Sequence, residues 1–532
     1  MNARVKDWIG AAAPLVAALV VAAPALAVLA SLAAPVGDVM RHILGTVGAG
    51  YLINTTILCL AVGTIGGALG VAAALLVALC EFPGRRTLSL ALVLPLATPA
   101  YIAAYAWADL LGPFGLLAPL ASGLAAIGLP GIKSLAGAAF VLSLASYPYA
   151  YLAARAAFAG RSAAAMETAR TLGSRPLAAT FSLLLPMARP AIAGGVALIM
   201  METAAEFGVA DFFGVPTLSV GIFRTWHSFG DLLAASQLAS ALFLFALTLV
   251  AFEAAGRRGR TSDAPRGAKG ATRFALTGGS AAAACLFCAG LVGAGFIAPV
   301  ATIAGKIDPG FWAIATRGLA RTLSNSVSIA AAGAATTMII ALALSYASRF
   351  SHARVVAPSL RAATLGYAVP GAVIAIGILA VFSFLRDAFG FAPAFVAGPV
   401  ALIYAYAVRF LTAGYNAANG GLVQIDPGLD AAARTLGAGP FRIAREVHAP
   451  LLRPALASGA IIVFVDIVKE LPATLILRQF NFETLATRVY RLAGDERLAE
   501  AAPEALILIA LGAAPIVLLN ALADGKARLR AK

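Results

Sequence analysis

Four carboxylates lie in stretches that are otherwise apolar: Glu202 with Glu206, and Asp466 with Glu470, the second pair flanked by Lys469. Each pair is spaced i,i+4, which places both side chains on one face of a helix. Ionisable groups in an apolar layer are costly, so they mark either a path for charged cargo or a buried pair. Carboxylate oxygens are hard donors that suit hard, highly charged cations, and an acidic lining lowers the barrier to a cation in a low-dielectric layer. The other chemistry is structural: Lys469 and nearby arginines pair with the carboxylates and fasten helices together, or Glu206 and Glu470 stand in water at helix ends. Both readings stay open in the sequence.

The two pairs are 264 residues apart, and much else returns at that separation. Ala169-Arg170-Thr171-Leu172-Gly173 recurs as Ala433-Arg434-Thr435-Leu436-Gly437. Pro176 meets Pro440, Pro186 meets Pro450 and Gly195 meets Gly459. Asn54 with Asn325, and Pro99 with Pro370, are paired at 271. The chain therefore reads as two related halves, 1–255 and 274–532, joined by a polar, Gly- and Arg-rich linker at 256–273.

The elements carrying these residues follow from composition. Of 532 residues, 61% are hydrophobic and 12% charged, against about 25% charged in soluble chains. Apolar runs near 9–34, 55–80, 88–110, 135–158, 190–210, 232–254, 278–303, 325–347, 360–384, 394–416, 454–474 and 502–522 are long enough to cross a hydrocarbon layer of about 30 Å. The expectation is an all-α polytopic membrane protein of about twelve spans in two six-helix repeats. An even number of spans returns each half to its starting side, so the repeats are parallel. Pro99 and Pro370 inside the runs are tolerated because neighbouring helices repair the break. The first run is longer than a signal-peptide core and reads as an uncleaved anchor.

The formal charge of +15 is carried by alternate loops: Arg85 and Arg86, the segment Arg155 to Arg189, 256–273, Arg349 and Arg354, Arg434 to Arg453, and the tail. Under the positive-inside rule these loops and both termini are cytoplasmic. The basic excess is thus topological, which removes nucleic acid as its explanation. Cys285 and Cys288 lack a second pair or a neighbouring His and read as packed thiols. No G-x-x-x-x-G-K-[ST] phosphate loop is present, so ATP hydrolysis is not expected on this chain, nor is a bound cofactor.

The repeated segment falls in a cytoplasmic loop between the fourth and fifth spans of each half. Residues 163–172 are good helix formers, and Gly173 can supply a left-handed stop. A second helix follows from Pro176 to about Leu185, where Pro186 breaks it. The expected shape is a helix, a tight turn and a helix along the membrane surface, a slim knob suited to another protein's groove. An amphipathic helix at the lipid headgroups is the plainer alternative.

This loop resembles the signature loop of the permease subunits of ATP-binding-cassette importers, which reads roughly E-A-A, then Gly, then Pro near the return to the membrane. Glu167-Thr168-Ala169, Arg170, Gly173 and Pro186 fit it in the first half. In the second, Ala431 holds the Glu position with Asp430 beside it, while Ala433, Arg434, Gly437 and Pro450 keep the pattern. "LPLATPAYIAAYAWADLLGPFG" (94–115), "EFGVADFFGVPTLSVGIFRTWHSFGD" (206–231) and "DIVKELPATLILRQFNFETLATRVYRLAGDERLAEAA" (466–502) resemble segments of the fused ferric-iron importer permeases.

The resemblance implies the type I importer permease fold in a bacterial inner membrane. Each loop would carry a coupling helix docked on one of two copies of a cytoplasmic ABC ATPase, which binds the ATP. A periplasmic substrate-binding protein would deliver ferric iron to outer loops, where Asp211, Arg224, Trp226, Arg478, Glu483 and Arg488 are the candidate docking residues. Thiamine, phosphonate and polyamine are alternative cargoes of similar permeases. An ion-coupled secondary transporter is a further alternative, although "EFPGRR" after the second span lacks the Gly-Asp-Arg signature of major-facilitator proteins.

Overall fold

The computed structural model describes residues 3–171, 176–257, 273–307, 310, 318–351, 353–364, 366, 369–390 and 398–530. Its longer helices and the second loop helix, in chain order, are α1 (Ala3–Ala30), α2 (Gly48–Leu79), α3 (Ala100–Leu110), α4 (Leu135–Thr171), α5 (Leu185–Ala205), α6 (Leu232–Arg257), α7 (Gly278–Val292), α8 (Leu319–Phe350), α9 (Gly371–Phe389), α10 (Pro399–Val423), α11 (Pro427–Thr435), α12 (Ala449–Lys469) and α13 (Leu498–Arg530). Strand structure among the described residues is a two-residue parallel pairing of Cys80–Glu81 with Phe274–Ala275.

Ten helical stretches among the described residues are long and apolar enough to cross a membrane, and a bent pair makes an eleventh if counted as one span. That pair, Arg85–Ala97 and Ala100–Leu110, turns by 96°. Thr98 is extended and α3 starts after Pro99, because a proline pushes its predecessor out of helical geometry. Pro370 likewise precedes α9, with φ −56° and ψ 141° against −54° and 134° at Pro99. The two prolines thus stand at helix starts, not within helices. The expected span near 394–416 corresponds to α10, which has 25 residues and ample length. It is not among the ten, since it carries Tyr404, Tyr406, Arg409, Tyr415 and Asn416. Packing against α8 and α12 shelters it, so it does not need an apolar face all round.

The chain forms two compact units, each built from separate stretches. One holds Leu44–Val220, Leu244–Arg317 and Val489–Lys532; the other holds Met1–Ile43, Gly221–Phe243 and Gly318–Arg488. In the first, α2 packs on α4 and α5, which also pack on each other. Trp107 of α3 donates to the Ala294 carbonyl at 3.3 Å, and Asp109 pairs with Lys306 at 2.7 Å, which ties in the segment after α7. In the second, α8, α10 and α12 form the same three-helix core, while α1 packs on α9 and on Val356–Ala363. Tyr404 anchors α1 by donating to the Val20 carbonyl.

The repeat seen in the sequence is reproduced in the element boundaries. Gly48–Leu79 and Leu319–Phe350 start and end at the 271 separation; Leu185–Ala205 and Ala449–Lys469 do so at 264. Gly195 and Gly459 show why glycine recurs inside these helices. A Cβ on Gly195 would lie 2.9 Å from Ala150 Cα, and one on Gly459 would lie 2.6 Å from Ala417 Cβ. Both mark close helix approaches, α5 on α4 and α12 on α10. The copies differ where α4 runs unbroken to Thr171 but α10 stops at Val423 and α11 begins at Pro427. Ala163 stands at the position of Pro427, whose ring cannot continue a helix.

Of the expected linker, 258–272 lies outside the described residues. The four cysteines are free thiols.

Candidate functional site

The second repeated loop is built on a buried ion cluster. Asp426 caps α11 by accepting from the Gly428 N–H at 2.8 Å. One turn on, Asp430 is 4% exposed and points inward. Its Oδ2 accepts from Arg349 Nε at 3.1 Å and Nη2 at 3.0 Å, and its Oδ1 lies 2.7 Å from His448 Nε2. Arg349, at the end of α8, also donates to the carbonyls of Leu422, in the last turn of α10, and Ile425, just beyond it. His448 is fully buried, with Nδ1 3.2 Å from the Tyr346 hydroxyl and its ring beside Tyr346 and Phe350. Burial raises the Asp430 carboxyl, but hydrogen bonds from His448 and Arg349 outweigh it and hold the group below its ordinary range. One buried carboxylate thereby joins the loop helix to α8 and to the start of α12.

Beyond α11 the chain turns at Gly437, whose φ of +78° lies in the left-handed region. Ala433 is half-buried and Arg434 exposed. The outer face is more apolar than the slim, small-residue knob expected: Leu436 is 84% exposed and Phe441 79%. Pro450 does not break the chain. A π turn, Ala444–His448, runs directly into α12, and in the first copy Thr180–Leu184 runs into α5 with Pro186 in its first turn. The wider turn accommodates a ring that lacks an N–H and would clash with an ordinary helical carbonyl.

Glu167 and Arg170 lie on the last turns of α4, and Ala169 is buried. Gly173, with 172–175, lies outside the described residues. At the repeat positions of Asp430 and His448 stand Met166 and Leu184, so the buried ion cluster has no counterpart by residue type.

The four carboxylates divide into two kinds. α5 ends at Ala205 and α12 at Lys469, and Glu206 and Glu470 are extended residues just beyond, with ψ of 125° and 126°. They therefore do not continue the helix face of Glu202 and Asp466. Each caps the next short helix: Glu206 accepts from the Val209 N–H at 3.1 Å, and Glu470 from the N–H groups of Ala473 and Thr474, both at 3.0 Å. Glu470 also accepts from the Thr474 hydroxyl at 2.8 Å and pairs with Arg409 at 3.6 Å. Asp466 lies 3.7 Å from Lys469, and Glu202 is half-buried on α5.

Of the outer candidates, Asp211 belongs to the first unit and the other five to the second. Asp211 accepts from the Tyr490 hydroxyl at 2.6 Å, Arg478 donates to the Phe482 carbonyl at 3.3 Å, and Arg488 donates to Thr322 at 3.3 Å. Arg224 is exposed, and Trp226 and Glu483 are half-buried. The Glu483 carbonyl accepts from Asn325 at 3.0 Å, as the Pro216 carbonyl accepts from Asn54 at 3.1 Å. The next residues repeat the device: Ser326 accepts from the Leu485 N–H at 2.7 Å and Thr55 from the Leu218 N–H at 2.9 Å. This explains the recurrence of Asn54 and Asn325. Sequence reasoning missed Arg349, His448, Tyr105 and Tyr490; a charged or phenolic residue at the end of an apolar run was the available signal.

Duplicated bundles of helices long and apolar enough to cross a membrane define a multi-pass membrane protein. Over residues 337–529 the chain matches the family described as binding-protein-dependent transport system inner membrane component. It is 26% identical over 480 residues to the Fe(3+)-transport system permease protein FbpB 2 of Haemophilus influenzae, covering 88% of this chain and 89% of that one. It is 24% identical over 430 residues to the putative ferric transport system permease protein FbpB 1 of the same organism, covering 75% and 65%. The molybdate/tungstate transport system permease protein WtpB of Thermococcus kodakarensis is 31% identical over 122 residues, 23% of this chain and 49% of that one.

Proposed function

We propose that this chain is the permease subunit of an ATP-driven importer and forms the transmembrane pathway for ferric iron delivered by a periplasmic binding protein. The observation that carries the reading is the similarity to the Fe(3+)-transport permease, which runs through both halves rather than through one. Two copies of a cytoplasmic ABC ATPase dock on the two repeated loops, with ATP bound on those subunits and no cofactor on this chain. The exposed Leu436 and Phe441 beside Gly437 support docking of the second loop, since apolar side chains at a cytoplasmic surface gain by being covered. Both termini and these loops face the cytoplasm of a bacterial inner membrane.

ATP binding closes the ATPases and moves the loops, and the Arg349–Asp430–His448 cluster makes the second loop move with α8 and α12. Of the four recurring carboxylates, Glu202 and Asp466 are the ones placed to meet a cation, because Glu206 and Glu470 are engaged as caps. The test is reconstitution in vesicles with its partner ATPase and binding protein and a panel of ferric ion, molybdate, thiamine, phosphonate and a polyamine. Uptake of ferric ion that depends on both ATP and the binding protein is the expected result. Stimulation by another cargo with none by ferric ion overturns the substrate, and uphill transport without the ATPase overturns the mechanism.

A further inference from the structure

Tyr105 is 2% exposed, and its hydroxyl has no hydrogen-bond partner among the described residues. Leaving a buried polar group unpaired costs about 1–3 kcal/mol, so the position calls for an explanation. The groups around it are oxygen donors: Tyr101, Tyr490, Glu206 and Asp211 are all close enough to act on it electrostatically. Packing holds the set together. The Tyr101 ring lies 5.9 Å from that of Tyr105, and Phe212 meets Tyr105 edge-on at 4.5 Å. Tyr490 packs on Phe207 at 5.6 Å while its hydroxyl donates to Asp211 Oδ2 at 2.6 Å. Glu206 is turned over the helix Gly208–Phe212 by the Val209 N–H. All of these residues belong to one compact unit.

The second copy supplies an internal control. At the repeat positions of Tyr101, Tyr105 and Asp211 stand Ala372, Ile376 and Leu475. Glu470, the counterpart of Glu206, is paired with Arg409, and the counterpart of Arg409 is Ala145. The fold therefore does not need the phenols and the extra carboxylate. They are an addition made once, next to a cap that both copies share.

We propose that Tyr105, Tyr490 and Asp211, beside the Glu206 cap, form a transit site that takes ferric ion, as cargo, through phenolate and carboxylate oxygens. The proposal rests on the reading above that the cargo is ferric iron. A hard, highly charged ion prefers oxygen donors. No three His, Cys, Asp or Glu side chains among the described residues are grouped to hold a metal, so the phenols complete the donor set. Binding is ligand exchange without redox change: each tyrosine that coordinates releases its proton to water, and the Tyr490 proton already points to Asp211. A site of this kind is occupied in passing, because an ion that enters must also leave.

The test uses the full chain with its ATPase and binding protein, probed with ferric nitrilotriacetate. The readouts are the visible phenolate-to-iron(III) charge-transfer band, bound radioiron and vesicle uptake. Wild type should show the band, and Tyr105→Phe, Tyr490→Phe and Asp211→Asn should each lower bound iron by about tenfold, equivalent to about 1.4 kcal/mol. Tyr147→Phe, at another fully buried tyrosine whose hydroxyl is also unpartnered, should leave all three readouts unchanged. A wild type that transports ferric ion without the band overturns the site while leaving the proposed function standing. So does a Tyr105→Phe/Asp211→Asn double variant, folded by its melting curve, with wild-type iron binding and uptake. Failure of wild type to take up ferric ion while another cargo is moved removes the functional reading, and this site with it.

Discussion

Arg349 and Asp430 are 81 residues apart in the chain, yet the guanidinium places Nε and Nη2 at 3.1 and 3.0 Å from one carboxylate oxygen. The same guanidinium takes up the Leu422 carbonyl at 2.6 Å and the Ile425 carbonyl at 3.2 Å. Breaking a buried pair by removing one partner costs about 3–5 kcal/mol, because the other charge is left uncompensated. Arg349→Met and Asp430→Asn should therefore each loosen the second loop. Expected is membrane-inserted protein that still binds the ATPase but shows several-fold lower cargo-dependent ATP hydrolysis, measured in vesicles. Full coupling in Arg349→Met would remove the cluster from the transmission path.

The same carboxylate fixes a pH dependence. Its folded pKa is lowered, burial being outweighed by the hydrogen bonds from His448 and Arg349. A depressed carboxylate contributes stability that is fully present above its unfolded pKa of about 3.9 and is lost as pH falls through the folded value. The melting temperatures of wild type and Asp430→Asn should therefore differ by a constant amount from neutral pH down to about pH 5 and converge only below about pH 4. Convergence already at pH 6 would show that the Asp430 carboxyl is not held below its ordinary range.

Gly437 carries a separate prediction. Its φ of +78° is strained for any residue with a Cβ, by roughly 1–2 kcal/mol, although no atom lies within 4 Å of where that Cβ would be. Gly437→Ala should thus act through backbone geometry alone, reorienting Leu436 and Phe441 with little loss of global stability. Cross-linking of a cysteine at Leu436 to the ATPase should fall while the melting temperature moves by only a few degrees. An unchanged cross-linking yield would show that the turn does not set the docking geometry.

Which of these features the sequence disclosed follows from how local each one is. The duplication was visible because helix starts and stops are written in Pro, Gly and Asn at fixed separations, and the same residues bound the helices. Gly195 and Gly459 recur at the same separation, but the close helix approaches that require them are long-range contacts. The helix face of Glu202 and Glu206 was misjudged because periodicity does not reveal that α5 ends at Ala205. Pro186 reads as a break in the sequence because a π turn has no sequence mark of its own. The Arg349–Asp430–His448 cluster depends on a contact across 81 residues, which periodicity cannot report.

The division of the four carboxylates gives a last prediction, which separates structure from pathway. Glu470 is 5% exposed, accepts two N–H groups and one hydroxyl, and faces Arg409 at 3.6 Å. Glu470→Gln puts an amide that donates against groups that also donate, so the cost should reach about 1–3 kcal/mol. That loss should appear in the melting temperature, with uptake per folded molecule unchanged. Glu202 and Asp466 lie half-buried on α5 and α12 before the helix ends. If a cation meets them, Glu202→Gln and Asp466→Asn should lower uptake several-fold with little change in melting, because they remove charge from the path and leave the caps intact. Lys469, 3.7 Å from Asp466, supplies the discriminating variant. Lys469→Met should restore part of the negative field along the path and raise uptake in the Glu202→Gln background, whereas a purely structural Asp466–Lys469 pair predicts a further loss of stability and no gain in uptake.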